Sequence, residues 1–259
     1  MSWRHSIGNG ADAAPDFHVS NLQITGVGSG VDGLVAPLSG PGVCRICFNL
    51  IGSASTLCRA CLASEHHLDV VVPISYSVNG SGLHTKIVAY KRHAEPFVAY
   101  AIRDLAAILE RFLAVHELCL GAGQPFDLVT TVPSSDRQRD RHNQLRRVVA
   151  ELVPTVGARH GRLLAPSGVA AGRRAFCPGR YQALASLHGQ RVLLIDDMWT
   201  TGASAQSAAA VLRAAGASYV AAAVIGRHLN IEYSDNRRRL EVLRWGFSWG
   251  NCVVCRPPM

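Results

Sequence analysis

Lysine is almost missing from this chain of 259 residues: Lys86 and Lys91 are the only two, and arginine supplies the rest of its 26 basic side chains. A positive surface made of flexible point charges is thereby excluded. The formal charge of +8 is carried by planar guanidinium forks, which pair with phosphate oxygens two at a time. Long apolar runs are missing as well, and none approaches the ~18 residues of a membrane span, so no spanning helix and no membrane partner are expected. The start of the chain lacks a basic stretch followed by an apolar one, so no secretory leader is expected either. Internal repeats are not evident. A cytoplasmic location follows as the expectation, and there the eight cysteines serve metals or stay as free thiols before they form disulfides.

What is present supports a folded enzyme-sized unit. A hydrophobic content of 48% is enough for a packed core, in one large domain or a medium one with an appendage. Charge is unevenly spread. Residues 134–191 contain eleven arginines against Asp136, Asp140 and Glu151, a net +8 for that segment alone. This suits a polyanionic substrate, although each single arginine reads equally well as solvated surface.

The most informative stretch is RVLLIDDMWTTGAS, residues 191–204. Val192 to Ile195 form a short apolar run, as in a strand buried on both faces. Asp196 and Asp197 fall at its carboxyl end, where open α/β sheets place their ligands. Thr200, Thr201, Gly202, Ala203 and Ser204 then lead into a predicted helix. Such a loop offers backbone N–H groups, hydroxyls and a positive helix end to a phosphate. Acceptors for hydroxyls or a metal, next to donors for a phosphate, suit a sugar phosphate.

Around this stretch the chain alternates. Residues 1–42, rich in Gly, Ser, Ala and Pro, are expected to lack structure. Strands are expected at 67–76, 127–132, 162–165, 191–196 and 218–225, and helices at 83–92, 96–117, 143–153 and 204–215. Residues 167–180 read as a Gly- and Arg-rich loop. The alternation implies an α/β domain over 67–230, a parallel sheet flanked by helices. Residues 231–259 are expected to form a C-terminal helix and a CxxC tail.

Residues 43–66 form a cysteine module. Cys44 and Cys47, ten intervening residues, then Cys58 and Cys61 give two paired knuckles whose four soft sulfurs favour a structural Zn²⁺ with no open coordination position. Iron–sulfur ligation is the competing reading. Cys252 and Cys255 are open to several readings: a second metal site, exchange with one of the first pairs, a redox pair, or two ordinary thiols. Cys119 and Cys177 are read as ordinary. His66 or His67 could replace a cysteine at the metal.

Taken together, residues 44–227 resemble the ComF family of type I phosphoribosyltransferase-like proteins. The resemblance rests on the four-cysteine module, on Thr131-Val132-Pro133 through Arg141-His142-Asn143-Gln144, and on the acidic pair followed by Thr-Thr-Gly-x-Ser. The middle segment departs from the family, which has a longer Arg-Gly-Phe-Asn-Gln-like interior where this chain has one histidine. The resemblance implies a type I phosphoribosyltransferase fold and binding of phosphoribosyl diphosphate (PRPP) with Mg²⁺. Asp196 and Asp197 would be the catalytic pair, holding the ribose hydroxyls, and residues 200–204 would wrap the 5′-phosphate. Pro133, Ser134, Ser135 and Arg141 would face the pyrophosphate, and Arg173, Arg174 and Arg180 would be the cations of a mobile loop.

The implied reaction is glycosyl transfer to an unknown acceptor with pyrophosphate release, through an oxocarbenium-like transition state. Two alternatives stand beside it. One is a non-catalytic PRPP or nucleotide sensor. The other is a competence-type protein associated with single-stranded DNA or a DNA-processing partner. The oligomeric state is left open by the sequence.

Overall fold

The structure is a computed structural model that describes residues 33–52, 55–91, 97–172, 174–233, 236, 238 and 247–255. Six strands follow in chain order: β1 (Val70–Val78), β2 (Leu128–Thr131), β3 (Leu164–Pro166), β4 (Tyr181–Ala183), β5 (Arg191–Trp199) and β6 (Tyr219–Leu229). Among the described residues seven named α-helices punctuate them: α1 (Arg59–Leu62), α2 (Gly82–Ala89), α3 (Phe97–Leu120), α4 (Arg137–Arg141), α5 (Gln144–Leu152), α6 (Pro154–Gly157) and α7 (Ala203–Ala214). The main sheet has the order β1-β6-β5-β2. All of its pairings are parallel.

Strand alternation divides the core between the two faces of this sheet. Leu193, Ile195, Ala221, Ala223 and Ile225 pack with Leu105, Leu109 and Phe112 of α3 and with Val148 and Val149 of α5. Their neighbours Val192, Leu194, Val220, Ala222 and Val224 pack with Ala205, Ala208, Ala209 and Leu212 of α7 and with the four cysteines of the N-terminal module. Each leucine or isoleucine so buried contributes about 1.5–3 kcal/mol. Polar side chains mark the helix starts: Ser81 caps α2, Asp136 caps α4 and Asn143 caps α5, each accepting from a backbone N–H of the first turn.

Three sequence expectations change, and a fourth goes largely undescribed. Structure begins before residue 43: Leu34 is buried in the main core, and the Val35 and Leu38 amides donate to Ser75 Oγ and Tyr76 Oη. Residues 1–32 of the segment expected to be unstructured lie outside the described residues. Second, β5 runs on through the acidic pair to Trp199, because β6 extends alongside it and pairs Asp196 with Val224 and Trp199 with Arg227. Third, the loop at 167–180 is the connection of an antiparallel β3–β4 hairpin. Strand β4 is only three residues long, too short for periodicity to announce it. Last, the C-terminal helix expected within 231–259 falls almost entirely outside the described residues.

Candidate functional site

A cavity of about 600 Å³ opens at the carboxyl ends of β2 and β5. Its floor carries the two aspartates. Asp197 is 8% exposed, accepts from the Tyr90 hydroxyl and accepts from Lys91 Nζ at 2.7 Å. The Asp197 amide donates to Asp196 Oδ1 at 2.9 Å. Burial pushes both carboxyls up, Asp196 to about 6 and Asp197 to about 7, and Lys91 opposes the shift at Asp196. The same burial lowers the Lys91 ammonium. This acid–base trio sits in one hydrogen-bonded group, with Lys91 half-exposed at the cavity wall.

The opposite wall is the turn after β2, formed by Pro133, Ser134 and Ser135. Buried Asp140 holds it in place. It accepts from the Ser134 amide at 3.1 Å and is itself neutralised by Arg162 at 2.8 Å and Arg146 at 3.5 Å. Arg139 and His142 complete the rim. Tyr181 closes one side, its hydroxyl donating to the Pro133 carbonyl at 3.1 Å.

At the third side α7 begins. Gly202 has φ +84°, and a Cβ there would meet the Trp199 ring at 2.1 Å. Only glycine meets both demands. The Gly202 cap has no side chain to bond the helix start; the Ala203 amide donates to Thr201 Oγ1 at 3.4 Å, and the amides that follow stand at the positive end of the helix dipole. Ser204 lines the cavity, and Arg180 reaches its hydroxyl at 3.5 Å.

The sequence-predicted residues divide. Pro133, Ser134, Ser135, Asp196, Asp197 and Ser204 share the cavity wall. Gly202 and Ala203 are buried beneath the turn, Thr200 is exposed, and Thr201 lies on a neighbouring surface cavity with Arg174. Arg141 is exposed and does not line the main cavity; Arg139, two residues earlier on α4, does. Arg180 is not a free loop cation. It is 2% exposed and holds the loop base by donating to the carbonyls of Gly172 and Ala175. Arg173 falls outside the described residues. Tyr90, Lys91, Arg139 and Tyr181 were not foreseen as site residues. Only Lys91 carried a signal, as one of two lysines in an arginine-rich chain.

Two Cys/His clusters could hold a metal ion such as zinc. Cys44, Cys47, Cys58 and Cys61 are all buried, with their sulfurs within 4.8 Å of one another, and Cys47 and Cys58 are 3.6 Å apart. Sulfurs at about 2.3 Å from one tetrahedral Zn²⁺ stand about 3.8 Å apart. Hydrogen bonds among the four thiols push Cys44 well below its ordinary range and Cys47 and Cys61 above it, so they share their protons as one group. Buried Arg227 of β6 donates to the Cys47 carbonyl at 2.9 Å, to Cys47 Sγ at 3.5 Å and to the Trp199 carbonyl at 3.0 Å. The cysteine module and the end of β5 are thus tied by one side chain. Neither His66 nor His67 belongs to this cluster; His67 stacks on Phe176 instead. The second cluster joins Cys252 and Cys255 to His116 and Cys119, so Cys119 is not the ordinary thiol it was read as.

Compared with known proteins, the chain matches no family model and no curated sequence. Among the described residues no helix is long and apolar enough to cross a membrane.

Proposed function

We propose that the cavity binds PRPP with Mg²⁺ and that the protein, a type I phosphoribosyltransferase of the ComF type, transfers the phosphoribosyl group to an acceptor with release of pyrophosphate. One observation carries the reading. A carboxylate pair, an uncapped helix start reached through Gly202, and a serine turn with Arg139 beside it border a single cavity of about 600 Å³. Hydroxyl acceptors and two groups suited to phosphates therefore border one cavity, the set of groups that PRPP calls for.

In this reading the C1–O bond breaks and its electron pair leaves on pyrophosphate. A lone pair of the acceptor forms the new bond to C1, and the proton of the acceptor is released. Asp196 and Asp197 accept from the ribose hydroxyls, and their negative charge offsets the positive charge growing on the ring. Lys91 keeps Asp197 oriented and favours the ionised form of Asp196. The Ser134–Ser135 turn and Arg139 receive the departing pyrophosphate, while Ser204 and the α7 amides hold the 5′-phosphate. Mg²⁺ would neutralise part of the diphosphate charge. Asp196 and Asp197 are the carboxylates on the cavity wall, and such oxygen donors suit a hard cation. Zn²⁺ at Cys44, Cys47, Cys58 and Cys61 would be structural.

Titration calorimetry with PRPP and Mg²⁺, followed by pyrophosphate assays over a panel of bases and amines, tests the proposal. PRPP is expected to bind, and the Asp196→Asn/Asp197→Asn variant to lose at least 100-fold in affinity while keeping its circular dichroism. Absence of PRPP binding would overturn the reading. Binding without pyrophosphate release across the panel would keep the site but make the protein a sensor.

A further inference from the structure

We propose that His116, Cys119, Cys252 and Cys255 form a second zinc site, of Cys₃His type, that staples residues 247–255 to α3. The inference is independent of what the cavity binds. Three features of the cluster point the same way.

The separations suit one tetrahedral ion. Two sulfurs bound at about 2.3 Å stand about 3.8 Å apart, and a sulfur and an imidazole nitrogen about 3.6 Å apart. Cys252 and Cys255 Sγ are separated by 3.4 Å. His116 Nδ1 lies 3.5 Å from Cys255 Sγ and 3.7 Å from Cys119 Sγ. A disulfide would need sulfurs at about 2.05 Å.

The histidine is set up as a ligand. His116 Nε2 lies 2.8 Å from the carbonyl of Trp249, which can only accept. The N–H therefore sits on Nε2, and the Nδ1 lone pair faces the three sulfurs. A second-shell carbonyl that fixes the tautomer in this way is the usual companion of a metal-bound imidazole. The Phe112 ring lies tilted against His116 with centroids 4.8 Å apart and limits its rotation.

The tail pair also has a ligating backbone conformation. The Cys255 amide donates to Cys252 Sγ at 3.4 Å. On the helix side, His116 and Cys119 are three apart and project from one face.

A staple answers a physical need. Residues 247–255 contribute no described helix or strand, yet Cys252 and Val253 enter the main core and Trp249 lies against Arg111 at 4.6 Å. Phe247, Trp249, Cys252 and Val253 are its apolar anchors, and they must offset the entropy of ordering a segment with no helix or strand hydrogen bonding of its own. A metal bond shared with α3 supplies the remainder.

The test is zinc stoichiometry of the full chain by mass spectrometry after desalting, with hydrogen exchange as a second readout. The intact protein is expected to carry two zinc ions, and Cys252→Ser/Cys255→Ser one, with amides 247–255 exchanging at least 10-fold faster. Because Cys255 is exposed, Cys255→Ala alone supplies a variant with little packing to lose, and it should release one ion to a chromophoric chelator ahead of the other. A single zinc in the intact chain, two retained in the double variant, iron with acid-labile sulfide, or a Cys252–Cys255 disulfide after native alkylation would each overturn the proposal. Loss of one zinc without faster exchange at 247–255 would overturn the staple.

Discussion

At the scale of single residues, the acidic pair trades stability for binding. Asp196 has its carboxyl raised to about 6 by burial, from 3.8. The folded chain then holds the proton more tightly than the unfolded one. Its contribution is complete below the unfolded value and is lost as pH rises through about 6. Asp196→Asn removes that loss, so its melting temperature relative to the natural chain should rise between pH 4 and pH 8, by the equivalent of about 1–3 kcal/mol. The same substitution should abolish PRPP binding. For the natural chain, affinity should climb as both carboxyls ionise between roughly pH 5 and 8. Thermal melts and calorimetry at matched pH check both expectations, and a pH-independent melting difference would contradict the first. Lys91 belongs to this balance as the cation that opposes the rise at Asp196 and bonds to Asp197.

Among the elements, the junction of β5, β6 and the cysteine module is the critical one. Arg227 spans it, donating to Cys47 and to Trp199, whose ring fills the space under Gly202. Arg227→Ala leaves those carbonyls without their donor and removes a cation beside the cluster of thiolates. A cost of about 3–5 kcal/mol is expected, with faster zinc extraction by a chelator and weaker PRPP binding together. Unchanged extraction kinetics would show that the module and the strand end are independent.

For the whole molecule, the four-cysteine cluster is part of the core and not an appendage. Its four cysteines pack with Val71, Leu194 and Val224 on the α7 face of the sheet. Stripping zinc from them should therefore lower the melting temperature of the entire chain, by roughly 10 °C or more, since structural zinc sites contribute folding energy directly. A melt that is unchanged after complete removal of metal would contradict this. The charge of +8 acts at the same scale, raising the local concentration of a polyanion around the cavity mouth.

The sequence by itself determined whatever short spacing can encode. Apolar alternation marked the parallel strands and their helices, the run from Val192 to Ser204 marked a strand ending in an acidic pair and a glycine turn, and two CxxC pairs marked a four-sulfur cluster. In each case neighbours in the chain remain neighbours in space. Tertiary structure alone decided who meets whom across the sheet. It delivered Tyr90 and Lys91 to Asp197, put Arg139 in the cavity where Arg141 was expected, buried Arg180, and brought His116 and Cys119 to a tail more than 130 residues away. The physical reason is the crossovers. Their helices set which strand ends lie side by side, and no local periodicity records that choice.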